Sequence, residues 1–270
     1  MSRLPDFPVV FCHGLFGTRR YGVGPLSAGD YFRGIRQEIA GSGVKIVTPR
    51  VHPTAGVHRR VWMLAKRILA ECGDSPVHLV GHSMGGIDMR LLANDPAWAN
   101  RVISMTSIGT PHLGTSLADL AGSRLGLLFR GMESVGWSID GFRQVTTGWM
   151  SEMTRGWADP PHAICRSIAG NPDPAPGFIA LRPVHRIVYE IDGPNDGLVP
   201  MESALGWGEP LPPWPFDHLQ QINWMTSRRK SREVLDHYHR LIESLGAIES
   251  AICTPIISES EEIESDFAMV

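Results

Sequence analysis

Gly81-His82-Ser83-Met84-Gly85 sits between the apolar run Val77-His78-Leu79-Val80 and the helix-like Ile87-Asp88-Met89-Arg90-Leu91-Leu92. An apolar run, a serine with glycines at both second neighbours and then helical spacing read as strand, sharp turn and helix. The glycines matter because a side chain at 81 or 85 would collide with neighbouring backbone while the serine is held in a strained conformation. Such a turn lifts Ser83 Oγ above the strand ends. It also points helix-terminal N–H groups at any negative charge that forms beside the hydroxyl. An ordinary Gly-Ser turn is the competing reading, and Gly86 and the flanking elements weigh against it.

Working outward, Val9-Val10-Phe11-Cys12, Ile46-Val47, Pro76 to Val80, Val102 to Ile108 and Ile164 to Ala169 read as short buried strands. Between them Tyr31, Phe32, Ile35 and Ile39 recur at helical spacing. So do Val57, Val61, Leu64, Ile68 and Leu69, and Gly73 closes that helix. Residues 178–191 and Arg228 to Leu245 read as further helices. Alternating β and α predicts a mostly parallel central sheet flanked by helices, in one domain over residues 1–270. Residues 117–153 break the rhythm with Gly, Leu, Met and Trp, including Leu125-Gly126-Leu127-Leu128-Phe129, Trp137 and Trp149. A lid over an apolar pocket and ordinary helices packed on the core both fit this stretch. Residues 250–270 read as an acidic, solvated tail.

The 270 residues carry 43% apolar and 20% charged side chains, ordinary values for a globular chain. A net charge of −3 supplies no basic field, so nucleic acid is not an expected partner. Cys12, Cys72, Cys165 and Cys253 lack zinc-type spacing, and Cys12 and Cys72 read as buried free thiols. No apolar run reaches the ~18 residues of a membrane span, and Met1 to Asp6 shows no leader pattern. The expectation is a cytoplasmic protein with no transmembrane segment, whose oligomeric state is not legible.

A serine hydroxyl becomes a nucleophile only when a neighbouring base takes its proton. On a strand–turn–helix of this kind, the acid and then the histidine follow later in the chain. Asp196, in the turn Pro194-Asn195-Asp196-Gly197, is the chosen acid, with Asp192 the runner-up. His218, in Pro215-Phe216-Asp217-His218-Leu219, is chosen over His237 and His239 on the final amphipathic helix. Backbone N–H donors for an oxyanion are expected from Met84 and from Leu15 in the loop His13-Gly14-Leu15-Phe16-Gly17; His13 itself reads as a loop organiser.

These segments, with Asp30 to Ile35, Ile108-Gly109-Thr110-Pro111-His112-Leu113-Gly114-Thr115 and Asn195 to Val199, resemble the bacterial triacylglycerol lipases of the Pseudomonas/Burkholderia type and their esterase relatives. The resemblance implies an α/β-hydrolase fold and the triad Ser83, Asp196 and His218. It further implies oxyanion donors at Leu15 and Met84, a lid after Thr115 and a structural His112. Two departures stand out. Many secreted members bind calcium through an aspartate two residues after the catalytic histidine, and here that residue is Gln220, a weak ligand for a hard cation. Their cysteine after Asp-Gly-Leu-Val is also missing from Pro200-Met201-Glu202-Ser203. The implied protein is an esterase-like relative without metal or organic cofactor. It would cleave acyl esters or lipids through an acyl-enzyme on Ser83 and touch lipid surfaces only transiently. An acyltransferase or thioesterase with the same triad, and a non-catalytic binding module, are the alternatives.

Overall fold

The computed structural model describes residues 3–17, 30–124, 138–173 and 175–253. Strands β1 (Val9–Cys12), β2 (Ile46–Val47), β3 (Val77–His82), β4 (Val102–Ile108), β5 (Ile164–Ile168) and β6 (Glu209–Pro210) form one sheet in the order β2-β1-β3-β4-β5-β6. Every pairing is parallel. The helices are α1 (Ile35–Ala40), α2 (Val57–Cys72), α3 (Met84–Ala93), α4 (Pro96–Ala99), α5 (Ser116–Arg124), α6 (Asp140–Arg143), α7 (Thr147–Met153), α8 (Arg182–Asp192), α9 (Met201–Ala204) and α10 (Arg228–Cys253).

The runs that look uniformly apolar do so because both faces of the sheet are covered. Val9 and Phe11 of β1 enter a core shared with Ile35 and Ile39 of α1 and with Val234, Tyr238 and Leu241 of α10. Val10 and Cys12 enter the opposite core, with Leu64 and Ile68 of α2 and Met89 and Leu92 of α3. Each such side chain contributes roughly 1.5–3 kcal/mol by leaving water. From β1 the chain goes outward to β2 and returns on the other side of β1 as β3. The loops leaving β1 and β3 therefore diverge, which opens a crevice above the strand ends.

Buried polar contacts fix these layers. Arg60 of α2 donates from Nε and Nη2 to Asp88 Oδ2 of α3 at 2.9 and 2.7 Å. On the α10 side, Ser104 Oγ lies 2.7 Å from His78 Nδ1, and His78 Nε2 lies 2.9 Å from Glu249 Oε1. Glu249 also accepts the N–H groups of Asp6 and Phe7, so one carboxylate ties α10, the sheet and the N-terminal segment together.

Several boundaries differ from the sequence reading. The third strand runs Val77–His82 rather than Pro76 to Val80, so His82 is still in the sheet. The first helix begins only at Ile35, because Gly34 at φ 75° breaks the spiral; Tyr31 and Phe32 are buried from the preceding turn. Residues 178–191 divide into a 3₁₀ turn (Ile179–Leu181) and α8, which has proline in its first turn. The last helix continues past Leu245 to Cys253, and β6 lacks any pattern that marked it as a strand. Within 117–153, Val145 and Met150 pack on Met84 and Ile87 as ordinary core. Leu125 to Phe129 and Trp137, and the tail from residue 254, lie outside the described residues. Among the described residues, no helix is long and apolar enough to cross a membrane.

Candidate active site

Ser83 occupies the turn between β3 and α3 at φ 55°, a conformation a non-glycine residue holds only when its surroundings impose it. The surroundings are backbone. A Cβ on Gly81 would lie 2.6 Å from Gly86 Cα, and one on Gly85 would strike the Cys12 carbonyl at the end of β1. Thr110 Oγ1 donates to the Ser83 carbonyl at 2.9 Å and braces the turn from the β4 side.

The turn Asn195-Asp196-Gly197 presents the acid. Asp196 Oδ1 accepts the N–H groups of Leu198 and Val199 at 3.0 and 2.8 Å. Its Oδ2 accepts from His218 Nδ1 at 2.8 Å and from Gln221 Nε2 at 2.9 Å. The His218 N–H also donates to the Asp196 carbonyl at 2.9 Å, so backbone and ring are held to the same residue. With Nδ1–H donating, His218 carries its lone pair on Nε2. Of the two candidate acids, Asp196 pairs with the histidine; Asp192 closes α8. His237 Nδ1 donates to Glu233 O within α10, and His239 faces Glu38 on the surface.

Ser83 and His218 line one cavity of about 700 Å³ together with Leu15 and Met84, a size that suits a small-molecule ligand. Its other walls are mainly apolar, among them Leu117, Ala118, Phe142 and Ile222, and the exposed Phe16 and Met225 also line it. The loop after β1 is held from behind. Arg60 Nη2 donates to the His13 carbonyl at 2.6 Å, Phe16 N–H donates to Pro53 O at 2.8 Å, and His13 Nε2 accepts the Val51 N–H at 3.2 Å. The adjacent His112 is buried; its Nε2 lies 2.8 Å from Ser107 Oγ, and its ring stacks on Trp207. Gln220 is also buried, with Oε1 accepting the Asp217 N–H at 3.2 Å, which makes it a brace of the turn that carries His218.

Residues 8–136 match the family model described as alpha/beta hydrolase fold. The chain has the α/β-hydrolase fold. It is 37% identical over 117 residues to a triacylglycerol lipase of Vibrio cholerae, a stretch covering 42% of this chain and 35% of that protein. It is 26% identical over 270 residues to triacylglycerol lipase 2 of Saccharomyces cerevisiae, covering 82% of this chain and 81% of that one. The crystal structure of the mature form of a Bacillus licheniformis lipase superposes with a TM-score of 0.68 at 25% identity, covering 89% and 92% of the two chains. The matched stretch spans about a third of the length of the bacterial relatives.

Two features of this hydrolase fold escaped the sequence reading. One is the Arg60–Asp88 pair behind the β1 loop, whose partners are on different helices. The other is the chain of contacts from Tyr31 through His82 and Gln221 to Asp196. Gln221 follows His218 by one helical turn, and that spacing was the one signal available.

Proposed function

We propose that the protein is a carboxylic-ester hydrolase of the lipase/esterase kind, working through an acyl-enzyme on Ser83. His218 Nε2 takes the proton of Ser83 Oγ as that oxygen attacks the ester carbonyl, and returns it to the departing alcohol. Asp196 holds the imidazole in its Nδ1–H tautomer and stabilises the imidazolium that forms. The Leu15 and Met84 amides receive the oxyanion at the N-terminus of α3, where the helix dipole also favours negative charge. Water activated by the same histidine then releases the acid. No metal enters any of these steps.

The observation that carries this reading is the short Asp196–His218 hydrogen bond on the wall of an apolar cavity, shared with a serine held on a strained turn. Apolar walls support acyl esters as substrates, with Leu117, Ala118, Phe142 and Val145 lining the acyl side. Free thiols at Cys12, Cys72 and Cys165 support action in the cytoplasm. The test is a rate survey over p-nitrophenyl esters of increasing chain length, with fluorophosphonate labelling beside it. Turnover and labelling are expected in the wild type and absent in Ser83→Ala; hydrolysis that survives the substitution overturns the proposal.

A further inference from the structure

We propose that Tyr31, His82 and Gln221 form a positioning relay that holds the Gln221 carboxamide against Asp196 and thereby fixes the Asp196–His218 pair. The proposal rests on the serine-hydrolase reading above. Tyr31 Oη lies 2.7 Å from His82 Nδ1, His82 Nε2 lies 3.1 Å from Gln221 Oε1, and Gln221 Nε2 lies 2.9 Å from Asp196 Oδ2.

The polarity of this chain has one solution. An ionised carboxylate only accepts, so the amide nitrogen of Gln221 must face Asp196. Its oxygen then faces His82, which must carry its proton on Nε2. His82 Nδ1 is left bare and accepts from the Tyr31 hydroxyl. Reversing any link would set two acceptors or two donors against each other inside the protein, where an unmet polar group is expensive.

The surroundings hold the same arrangement. Gln221 and His82 are completely buried. A Cβ on Gly109 or on Gly170 would strike the Gln221 carboxamide, so backbone closes on that group from both of these glycines. Tyr238 Oη donates to the Gln221 carbonyl at 3.0 Å and anchors the main chain of the same residue. The His82 ring lies 4.6 Å from the His218 ring, centroid to centroid, so the relay also packs against the base it serves. Burial first, and the neighbouring His218 second, push His82 well below the usual imidazole range. It therefore stays neutral and sets no positive charge beside an imidazolium at His218.

The consequence for chemistry is specific. Gln221 takes part of the negative charge of Asp196 Oδ2 and fixes where that oxygen points. Without the donor, Asp196 would be a stronger but less well-placed partner. The His218 imidazolium would become more stable, and the acid limb of the pH–rate profile would move upward.

The experiment compares Gln221→Met, Tyr31→Phe and the double variant with the wild type on one soluble ester, recording kcat, KM, the pH profile of kcat/KM and the melting temperature. Gln221→Met is expected to lower kcat roughly tenfold to a hundredfold with KM unchanged, as for a small misplacement of a catalytic pair, and to raise the acid limb. Tyr31→Phe is expected to act in the same direction and more weakly. The double variant should be no worse than Gln221→Met, because both substitutions break one chain. Multiplying losses, an unmoved acid limb, or a wild-type kcat in Gln221→Met would each overturn the relay. Should Gln221→Met fail to fold, Tyr31→Phe still decides: wild-type kcat and acid limb there overturn it. Ser83→Ala in the same assay separates the two proposals. If that variant stays active, the hydrolase reading fails; if it is inactive while the relay variants behave as wild type, only the relay fails.

Discussion

β3 carries two histidines on one face, four residues apart, and a serine, a histidine and a carboxylate lie together near each. At its upper end, His82 leads into Ser83 beside His218 and Asp196. Lower down, His78 lies between Ser104 and Glu249. Residue types and contact lengths are alike: 2.8 Å for His218–Asp196 and 2.9 Å for His78–Glu249. What differs is everything around them. Ser104 is completely buried within β4, and the acid is occupied by two backbone amides of the N-terminal segment. Ser83 stands on a strained turn at a helix start and lines a large cavity. A serine, a histidine and an acid become a candidate site through reach and strain. Without these they are a strut.

Exchange of roles is the sharpest test of that contrast. Ser83→Ala is expected to reduce kcat by about 10³-fold or more while Ser104→Ala leaves kcat at the wild-type level, because a triad acts as a unit and a strut takes no part in turnover. Asp196→Asn should also be severe. Its amide nitrogen would face His218 Nδ1 and force the wrong tautomer, while Asp192→Asn should have no effect on kcat. Steady-state rates and fluorophosphonate labelling read all four variants. A larger loss in Asp192→Asn than in Asp196→Asn would move the acid to the end of α8.

The second expected effect falls on stability. Glu249→Leu leaves the buried His78 Nε2–H without its acceptor and removes the acceptor of the half-buried Asp6 and Phe7 amides, at about 3 kcal/mol. For a chain of this size that is a fall in melting temperature of roughly 6–12 °C, with kcat unchanged in the molecules that remain folded. Urea titration beside an activity assay checks it. A kcat that falls with stability intact would make the lower cluster part of the site.

These two clusters also mark what could be read without coordinates. Val9–Cys12, Ile46–Val47 and Val102–Ile108 were legible because strands covered on both faces are short unbroken apolar runs. Ser83, Asp196 and His218 could be proposed as a site without coordinates because each sits in a turn with its own local chemistry. Glu249 and Gln221 were not, since their partners lie 171 and 139 residues away and nothing local announces such a contact. The last helix was read only to Leu245, yet it continues through Gly246, where the Arg3 backbone packs in the place a side chain would take. Tyr31 and Phe32 misled in the opposite sense: core packing gave them helical spacing outside a helix.

The last expected effect, small for any one histidine, is a dependence of stability on pH, and it tests the donor–acceptor logic on which both clusters rest. His82, His78, His13 and His112 each stand between one donor and one acceptor: Tyr31 and Gln221, Ser104 and Glu249, the Val51 amide and the Gly14 carbonyl, Arg90 and Ser107. Such a pair suits a neutral imidazole and repels a second proton. Burial depresses all four, His13 to about 3, with Arg60 adding to the effect there; at His78, Glu249 opposes it. In the unfolded chain the same groups take up a proton near pH 6.5. Below that pH the unfolded state binds more protons, so stability falls as pH falls, and for His13 the loss continues toward its folded value. At pH 5.5 a histidine kept neutral contributes about 1.4 kcal/mol of this loss. Urea unfolding between pH 7 and 5 should show the decline, with a shallower slope in His112→Asn, where one buried imidazole is gone. A stability that stays flat over that range would mean these rings accept their protons in the fold, and the single-valued chain from Tyr31 to Asp196 would lose its basis.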